Sequence, residues 1–317
     1  MKLIKASAEI IPQGSGLEGI YKHIELAGRT CYKSLDKITE DSAKNFVDRM
    51  IKSGHGAMLE HGTVYLYLEY TSPLSDVNYL KATEIEHKHT KNKYSKVMSI
   101  SPDYHKTQCY ITTNLRVLVE NGWLDDLEYL CEPTEYHERR ITVKFITDQG
   151  ILREFTRHRV FSFAVESTRY CNYSKDKFDN EITCILPPWI DEAKLPSDIS
   201  FHCSDDWGAL MCEHYYDFTE EGKKDWDISD ADLHNFLFAL DSCEQLYLSL
   251  IKQGWTAQQA RNILPLATKC DIIMTGFVSD WKHFFELRAL GTTGAPHPQA
   301  KEIAEPLMQK FIKQNLI

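Results

Sequence analysis

A chain of 317 residues, 43% hydrophobic and 26% charged, is long and apolar enough to bury a sizeable core as one large domain or two smaller ones. Its formal charge of -10 argues against a general nucleic-acid binder, which would carry a basic face, yet leaves room for a local basic pocket holding small phosphorylated molecules. No apolar run reaches membrane-spanning length and the start, MKLIKASAEIIPQ, lacks a signal-peptide core, so a cytoplasmic protein with no membrane partner is expected.

Residues 2–11 predict a strand. Gly14-Ser-Gly16-Leu-Glu-Gly19 then matches the GxGxxG dinucleotide fingerprint and, taken alone, would suggest an NAD-dependent dehydrogenase. Pro12 and Gln13 separate the glycines from the strand, however, and no βαβ repeat follows, so a flexible glycine loop is the better reading. Residues 19–34 continue as a helix and a turn. A second helix over about 40–53 carries Ala43, Phe46, Val47, Met50 and Ile51 at helical spacing and stops at Gly54. His55 and His61 follow; a histidine pair without further ligands is more often structural than a metal site. Thr63–Tyr70 alternates as a one-faced strand.

His87 and His89 stand among lysines, a strand is expected over Gln108–Val119, and a short aromatic, acidic helix around Trp123–Leu130. A strand over Ile141–Asp148 and a helix over Gln149–Phe155 lead into Arg157. A short strand with a double proline lies in 181–188, and 189–230 is acidic and aromatic. The last third reads as helical: 232–253, stopped by Gly254, then a capping box at Thr256–Gln259. A strand over Asp271–Gly276 leads into the helix bearing Trp281 to Arg288, and a last helix starts at Pro298 and is expected to kink at Pro306.

The densest chemistry lies in 157–170. Arg157, His158, Arg159 and Arg169 are interleaved there with Ser162, Ser167 and Thr168. Guanidinium forks match phosphate oxygens two bonds at a time, and short hydroxyls complete such a site. The plainer alternative is a helix end whose arginines pair with acidic neighbours.

The spacing Arg-His-Arg, seven residues, Ser, one residue, Arg resembles the signature of the flavin-dependent thymidylate synthases. Four further stretches are similar to that family in the same order: 25–34 (Ala-Gly-Arg-x-Cys-Tyr-x-Ser), 54–61 (Gly-His to Glu-His), 257–265 (Ala-Arg-x-x-Leu-Pro) and 274–289. The resemblance implies an α+β fold, a mostly antiparallel sheet wrapped by helices, as a single domain over 1–317 with insertions at about 72–138 and 189–230. It implies reductive methylation of dUMP to dTMP, with methylenetetrahydrofolate giving the carbon, NADPH the electrons and FAD carrying them. A homotetramer with active sites between subunits is implied too.

By the same resemblance Glu154, Arg157, Ser167, Thr168, Arg169, Arg261 and Arg288 bind dUMP, and His55, Arg157, His158, Arg159 and His283 face the flavin. Arg288 is the catalytic candidate, because a fixed guanidinium at uracil N3 and O2 stabilises the charge that makes C5 nucleophilic. A surface pairing with Glu286 or Glu302 is its alternative role.

Glu154 stands where the family often has glutamine. Ala164 and Val165 replace an Asn or Ser followed by Glu or Gln, with Glu166 displaced by one, and Phe277 and Ser279 replace an Asn and an Arg of the flavin site. A non-catalytic nucleotide- and flavin-binding homologue is therefore the second reading. The nine cysteines, at 31, 109, 131, 171, 184, 203, 212, 243 and 270, form no CxxC pair, so reduced thiols are expected and neither a disulfide frame nor a metal site. None sits in the Pro-Cys-His setting of the cysteine-dependent synthases, so no cysteine nucleophile is expected.

Overall fold

The computed structural model describes residues 1–71, 77–102, 106–175, 178–195 and 231–317. In chain order the described strands are β1 (Lys2–Ile4), β2 (Ser7–Ile11), β3 (Thr63–Thr71), β4 (Lys96–Ile100), β5 (Lys106–Asn114), β6 (Arg140–Asp148), β7 (Ser162–Val165), β8 (Thr183–Ile185) and β9 (Lys269–Phe277). The α-helices are α1 (Gly16–Cys31), α2 (Ser42–Ser53), α3 (Gly56–Leu59), α4 (Val77–Lys91), α5 (Leu115–Asn121), α6 (Gln149–Phe155), α7 (Ala231–Lys252), α8 (Ala257–Ala260), α9 (Val278–Phe285) and α10 (Pro298–Lys313). The α+β class expected from the sequence holds. Among the described residues no helix is long and apolar enough to cross a membrane.

The chain divides into two compact units. The first comprises Met1–Ala6, Asp148–Gly150 and Thr168–Lys269. In it β1 pairs in parallel with β8, and the amino terminus is buried against Glu244 at 2.7 Å and Glu181 at 3.3 Å. Leu240 and Tyr247 of α7 pack on Cys171, Tyr173, Ile182 and Cys184. Gly254, at φ 95°, follows α7 in a conformation that suits glycine. Residues 196–230, most of the second expected insertion, lie outside the described residues.

The second unit, Ser7–Thr147, Ile151–Ser167 and Cys270–Ile317, holds a four-stranded sheet in the order β2-β6-β9-β7 and a three-stranded sheet in the order β3-β5-β4. The β2–β6 and β7–β9 pairs are antiparallel, as are both pairs of the smaller sheet. Helix α1 turns Ile20, Ile24, Ala27 and Cys31 inward at helical spacing. Its glycines mark a tight helix start rather than a flexible loop: Gly16 and Gly19 fall in its first turn, and a Cβ on Gly19 would lie 2.0 Å from the Gly14 carbonyl oxygen. The strand expected over Gln108–Val119 ends at Asn114, whose side chain accepts from Val117 N at 3.2 Å and starts α5. The apolar run Leu115–Leu118 fits a buried helix face as well as a strand, and the cap decides between them.

A polar chain crosses the core of this unit. His23 Nε2 lies 2.8 Å from Thr142 Oγ1, which lies 2.8 Å from Thr275 Oγ1, which lies 2.8 Å from His61 Nδ1. Burial, with the Arg140 guanidinium adding to it, pushes His23 down to about 4. Burial likewise pushes His61 down to about 3, with His23 and Arg140 as smaller causes. Unfolded, both rings protonate near about 6.5; folded, they resist the proton. Their contribution is therefore complete above that pH and is lost as the pH falls toward the folded values, at up to about 1.4 kcal/mol per pH unit for each ring. Denaturant midpoints should fall steeply from pH 7 to pH 5. The double variant His23→Gln, His61→Gln should start lower at pH 7 and lose less on acidification; an unchanged slope would show that other groups govern it.

Candidate active site

Arg288 lies on the π-helical turn Glu286–Leu290 that continues α9. Its guanidinium is engaged on every edge within the second unit. Nη1 donates to Glu154 Oε2 at 2.5 Å, Nη2 to the Glu154 carbonyl at 3.0 Å, and Nε to His158 Nε2 at 3.1 Å. The Glu154 carbonyl, in the last turn of α6, also accepts from Arg157 N at 3.3 Å, so the arginine adds a second donor at that helix end. His158 is buried, and burial, reinforced by Arg288, pushes its pKa down to about 4. It is neutral at pH 7, and accepting at Nε2 leaves its proton on Nδ1.

Below the guanidinium lies an aromatic cluster. Phe155 sits 5.0 Å from Phe145 and 5.1 Å from Phe284, centroid to centroid, and His158 is 5.1 Å from Phe284. Trp281 packs 4.7 Å from Phe161 and donates from Nε1 to the Ile141 carbonyl at 3.1 Å. Arg157 and Arg159 flank His158 and are exposed. Neither makes a side-chain hydrogen bond or ion pair among the described residues. In a chain of net charge -10, two uncompensated guanidiniums on either side of a neutral imidazole suit an anionic ligand. His55 is exposed at the start of α3; His283 is exposed on α9 and bonds Glu286 Oε2 through Nδ1 at 3.1 Å.

Ser167 ends the described stretch of the second unit that follows β7, and its amide donates to the Cys31 carbonyl at 3.0 Å. Thr168, Arg169 and Arg261 belong to the first unit. There Arg261 Nη1 donates to Thr168 Oγ1 at 3.3 Å, and Arg169 Nε donates to Gln258 Oε1 at 2.9 Å with its guanidinium 5.5 Å from the Tyr170 ring. Neither arginine meets a carboxylate among the described residues. The Arg261 segment is delivered by the capping box read from the sequence, in which Thr256 N donates to Gln259 Oε1 at 2.9 Å.

The structure thus brings Glu154, His158 and Arg288 together in one unit, and Thr168, Arg169 and Arg261 in the other. Arg288 does not pair with Glu286 or Glu302, since Glu154 takes its place as the partner carboxylate. Phe277 and Ser279 have occupations of their own: Arg140 and Lys96 lie 5.6 and 5.5 Å from the Phe277 ring, and Ser279 Oγ bonds Glu138. Sequence reasoning missed Arg140, buried among neutral acceptors, and Lys33, which meets Glu166 and Asp271. The only signal for Lys33 was the glutamate displaced by one position.

Burial pushes Cys31 and Cys131 up to about 11, and Cys109 and Cys184 up to about 12. Cys203 and Cys212 lie outside the described residues.

Residues 134–314 match the family described as thymidylate synthase complementing protein. The chain is 26% identical over 174 residues to a probable flavin-dependent thymidylate synthase of Paramecium bursaria Chlorella virus 1, covering 55% of this chain and 67% of that one. It is 22% identical over 297 residues to a flavin-dependent thymidylate synthase of Corynebacterium aurimucosum, covering 91% of this chain and 78% of that one. A solved UMP/dUMP methylase from Streptomyces cacaoi, 15% identical, superposes over 99% of this chain and 93% of its own with a TM-score of 0.40. With more than half of its 317 residues inside the family match, the chain belongs to the thymidylate synthase complementing family, that of the flavin-dependent thymidylate synthases.

Proposed function

We propose that this protein is a flavin-dependent thymidylate synthase that methylates dUMP to dTMP. The observation that carries the reading is the Arg288 guanidinium, fixed by a backbone carbonyl and a neutral imidazole at one end of the family match, with a single carboxylate on its remaining edge.

In this reading Arg288 is the catalytic residue. Its Nη2 bond to the Glu154 carbonyl and its Nε bond to His158 hold the fork in place, while Nη1 is given over from the Glu154 carboxylate to the uracil ring. A guanidinium held in this way stabilises negative charge at N3 and O2 without reorganising, and C5 gains nucleophilicity. Glu154 then borders the nucleotide, together with Arg157 and Ser167. Arg169 and Arg261, with Thr168, offer donors suited to its phosphate.

FAD would be held by Arg157, His158, Arg159, His55 and His283, and the unpaired guanidiniums of Arg157 and Arg159 suit its diphosphate. Bound flavin supplies the electrons of the reductive step, taken from NADPH, while methylenetetrahydrofolate supplies the carbon. The same reading makes the protein a cytoplasmic homotetramer with sites between subunits, working on dUMP and a folate, with no nucleic-acid or membrane partner. The second reading, a homologue that binds nucleotide and flavin without turnover, draws on Phe277 and Ser279, whose engagements with Arg140, Lys96 and Glu138 differ from a flavin-binding Asn and Arg.

Three measurements test these assignments. Titrating folded protein with FAD should give saturable binding at micromolar levels by flavin fluorescence, and NADPH should bleach the bound cofactor; no binding would remove the cofactor from the scheme. Arg288→Ala should lower dUMP-dependent tritium release from C5 by about 10²–10³ while flavin binding persists. Arg288→Lys should rescue poorly, since one ammonium cannot replace a fork that serves His158, Glu154 and the ring together. Tritium release at the normal rate from Arg288→Ala would take the residue out of the mechanism. Finally, alanine at each of the nine cysteines should leave dTMP formation measurable, since none sits in a Pro-Cys-His setting and burial raises the pKa of thiols such as Cys31 and Cys184. Complete loss at one of them, with the fold intact, would identify a nucleophile after all.

A further inference from the structure

We propose that Lys33 is a positioning residue whose ammonium clamps Glu166 to Asp271 and thereby fixes the chain at Ser167. The proposal rests on the reading that the segment beginning at Ser167 holds the nucleotide. Along β7 and just beyond it burial alternates: Ser162, Ala164 and Glu166 are buried, while Phe163 and Val165 are partly exposed. A one-residue displacement on an extended chain moves a side chain to the opposite face. A carboxylate at 166 rather than 165 therefore points inward.

Inside, Glu166 and Asp271 are 4% and 3% exposed and doubly bonded to each other. Glu166 N donates to the Asp271 carbonyl at 2.8 Å, and Asp271 N donates to Glu166 Oε2 at 3.1 Å. Two carboxylates this close and this buried are stable as anions only with a cation between them. Lys33 supplies it, with Nζ 2.5 Å from Asp271 Oδ2 and 3.2 Å from Glu166 Oε2, while Lys144 Nζ stands farther off at 3.9 Å from Asp271.

The backbone adds a second observation. Lys33 has φ 46°, a left-handed conformation that glycine or asparagine adopts at lower cost than lysine. Two residues earlier, the Cys31 carbonyl receives the Ser167 amide at 3.0 Å. The turn at 31–33 thus holds the end of β7 twice, by an ion pair at residue 166 and by a backbone hydrogen bond at residue 167. Without the ammonium the two carboxylates lose their nearer cation, and the segment that Glu166 anchors loosens at Ser167.

The experiment is hydrogen exchange on the full chain, read at the Glu166 and Ser167 amides, in wild type, Lys33→Met and Lys33→Gly. Both variants should exchange there about tenfold faster or more, although glycine removes the left-handed strain and should melt higher than methionine. Exchange within about twofold of wild type in both variants, or glycine restoring the wild-type rate, would overturn the clamp. Steady-state kinetics supply the functional arm: KM for dUMP should rise about tenfold or more in Lys33→Met, with FAD affinity held. A merely structural defect would instead weaken FAD binding and dUMP binding together, and that outcome would also count against the clamp. A wild-type chain that fails to bind dUMP would overturn the nucleotide reading alone, since the exchange rates judge the clamp without any ligand.

Discussion

The position of one guanidinium depends on a layer of aromatic rings. Phe145 comes from β6, Phe155 from α6, Phe161 from the approach to β7, Trp281, Phe284 and Phe285 from α9, and Phe311 from α10; all seven are buried. Rings of this size are held by shape as well as by area, and edge-to-face contacts near 5 Å, such as Phe155 on Phe284 and Phe285 on Phe311, resist rotation. The cluster therefore fixes the end of α6 relative to the end of α9. Arg288 sits one turn beyond the last of those rings, where a π-helical turn ends at Gly291 with φ 69°. Its three anchors, the Glu154 carbonyl, the Glu154 carboxylate and His158, come from α6 and the turn after it, whose Phe155 packs into the same aromatic layer.

Charge is distributed with the same selectivity. Four of the buried carboxylates, Glu25, Asp126, Glu166 and Asp271, each meet a side-chain cation: Arg29, Lys88 with His89, and Lys33 for the last two. The exposed guanidiniums at 157, 159 and 169 do not meet a carboxylate among the described residues, although the chain carries ten more acids than bases. Surface ion pairs contribute about 0–1 kcal/mol, so leaving these arginines unpaired costs little stability. What it preserves is a set of donors that an incoming anion need not compete for. Glu154 is the exception, a carboxylate on the very fork proposed to act, and it makes occupancy of Nη1 a matter of competition between an internal anion and the ring.

Local order was legible in the sequence, while long-range partners were not. Periodicity and glycine stops located α1, α2 and α7, because a helix advertises its buried face every third or fourth residue. The glycines at 14, 16 and 19 were rightly set aside as a fingerprint but misled as a flexible loop, since Gly19 packs closely on Gly14 at the start of a helix. The surface pairing imagined for Arg288 with Glu286 was ruled out by helix geometry, since residues two apart do not face each other, and Glu286 instead meets His283 three residues away. The true partner lies 134 positions away in sequence, a distance on which spacing is silent. The displaced Glu166 was visible as a departure from the family pattern, but its partner was not, because Lys33 owes its reach to a left-handed backbone that nothing in its neighbours announces.

The segment 72–138, expected from the sequence to be an insertion, obeys the same logic of partners. Strand β3 pairs with β5 residue for residue from Thr63 to Thr71, and β4 closes the other edge of β5. Without β5, β3 would present unpaired backbone groups along its length, which a buried strand cannot sustain. The apolar sides agree: Cys109, Ile111, Leu115 and Leu118 of the insertion share one cluster with Val64, Leu66 and Leu68 of β3 and with Ile20 and Ile24 of α1. His89 and Lys88 on α4, bonded to Asp126 at 3.0 and 2.7 Å, tie the inserted elements to one another. Helix α1 contributes Ile20 and Ile24 to that shared cluster, while its last turn delivers Cys31 and, just past it, Lys33. The core that β3 and β5 close from one side is thus the core on which α1 lays its apolar face.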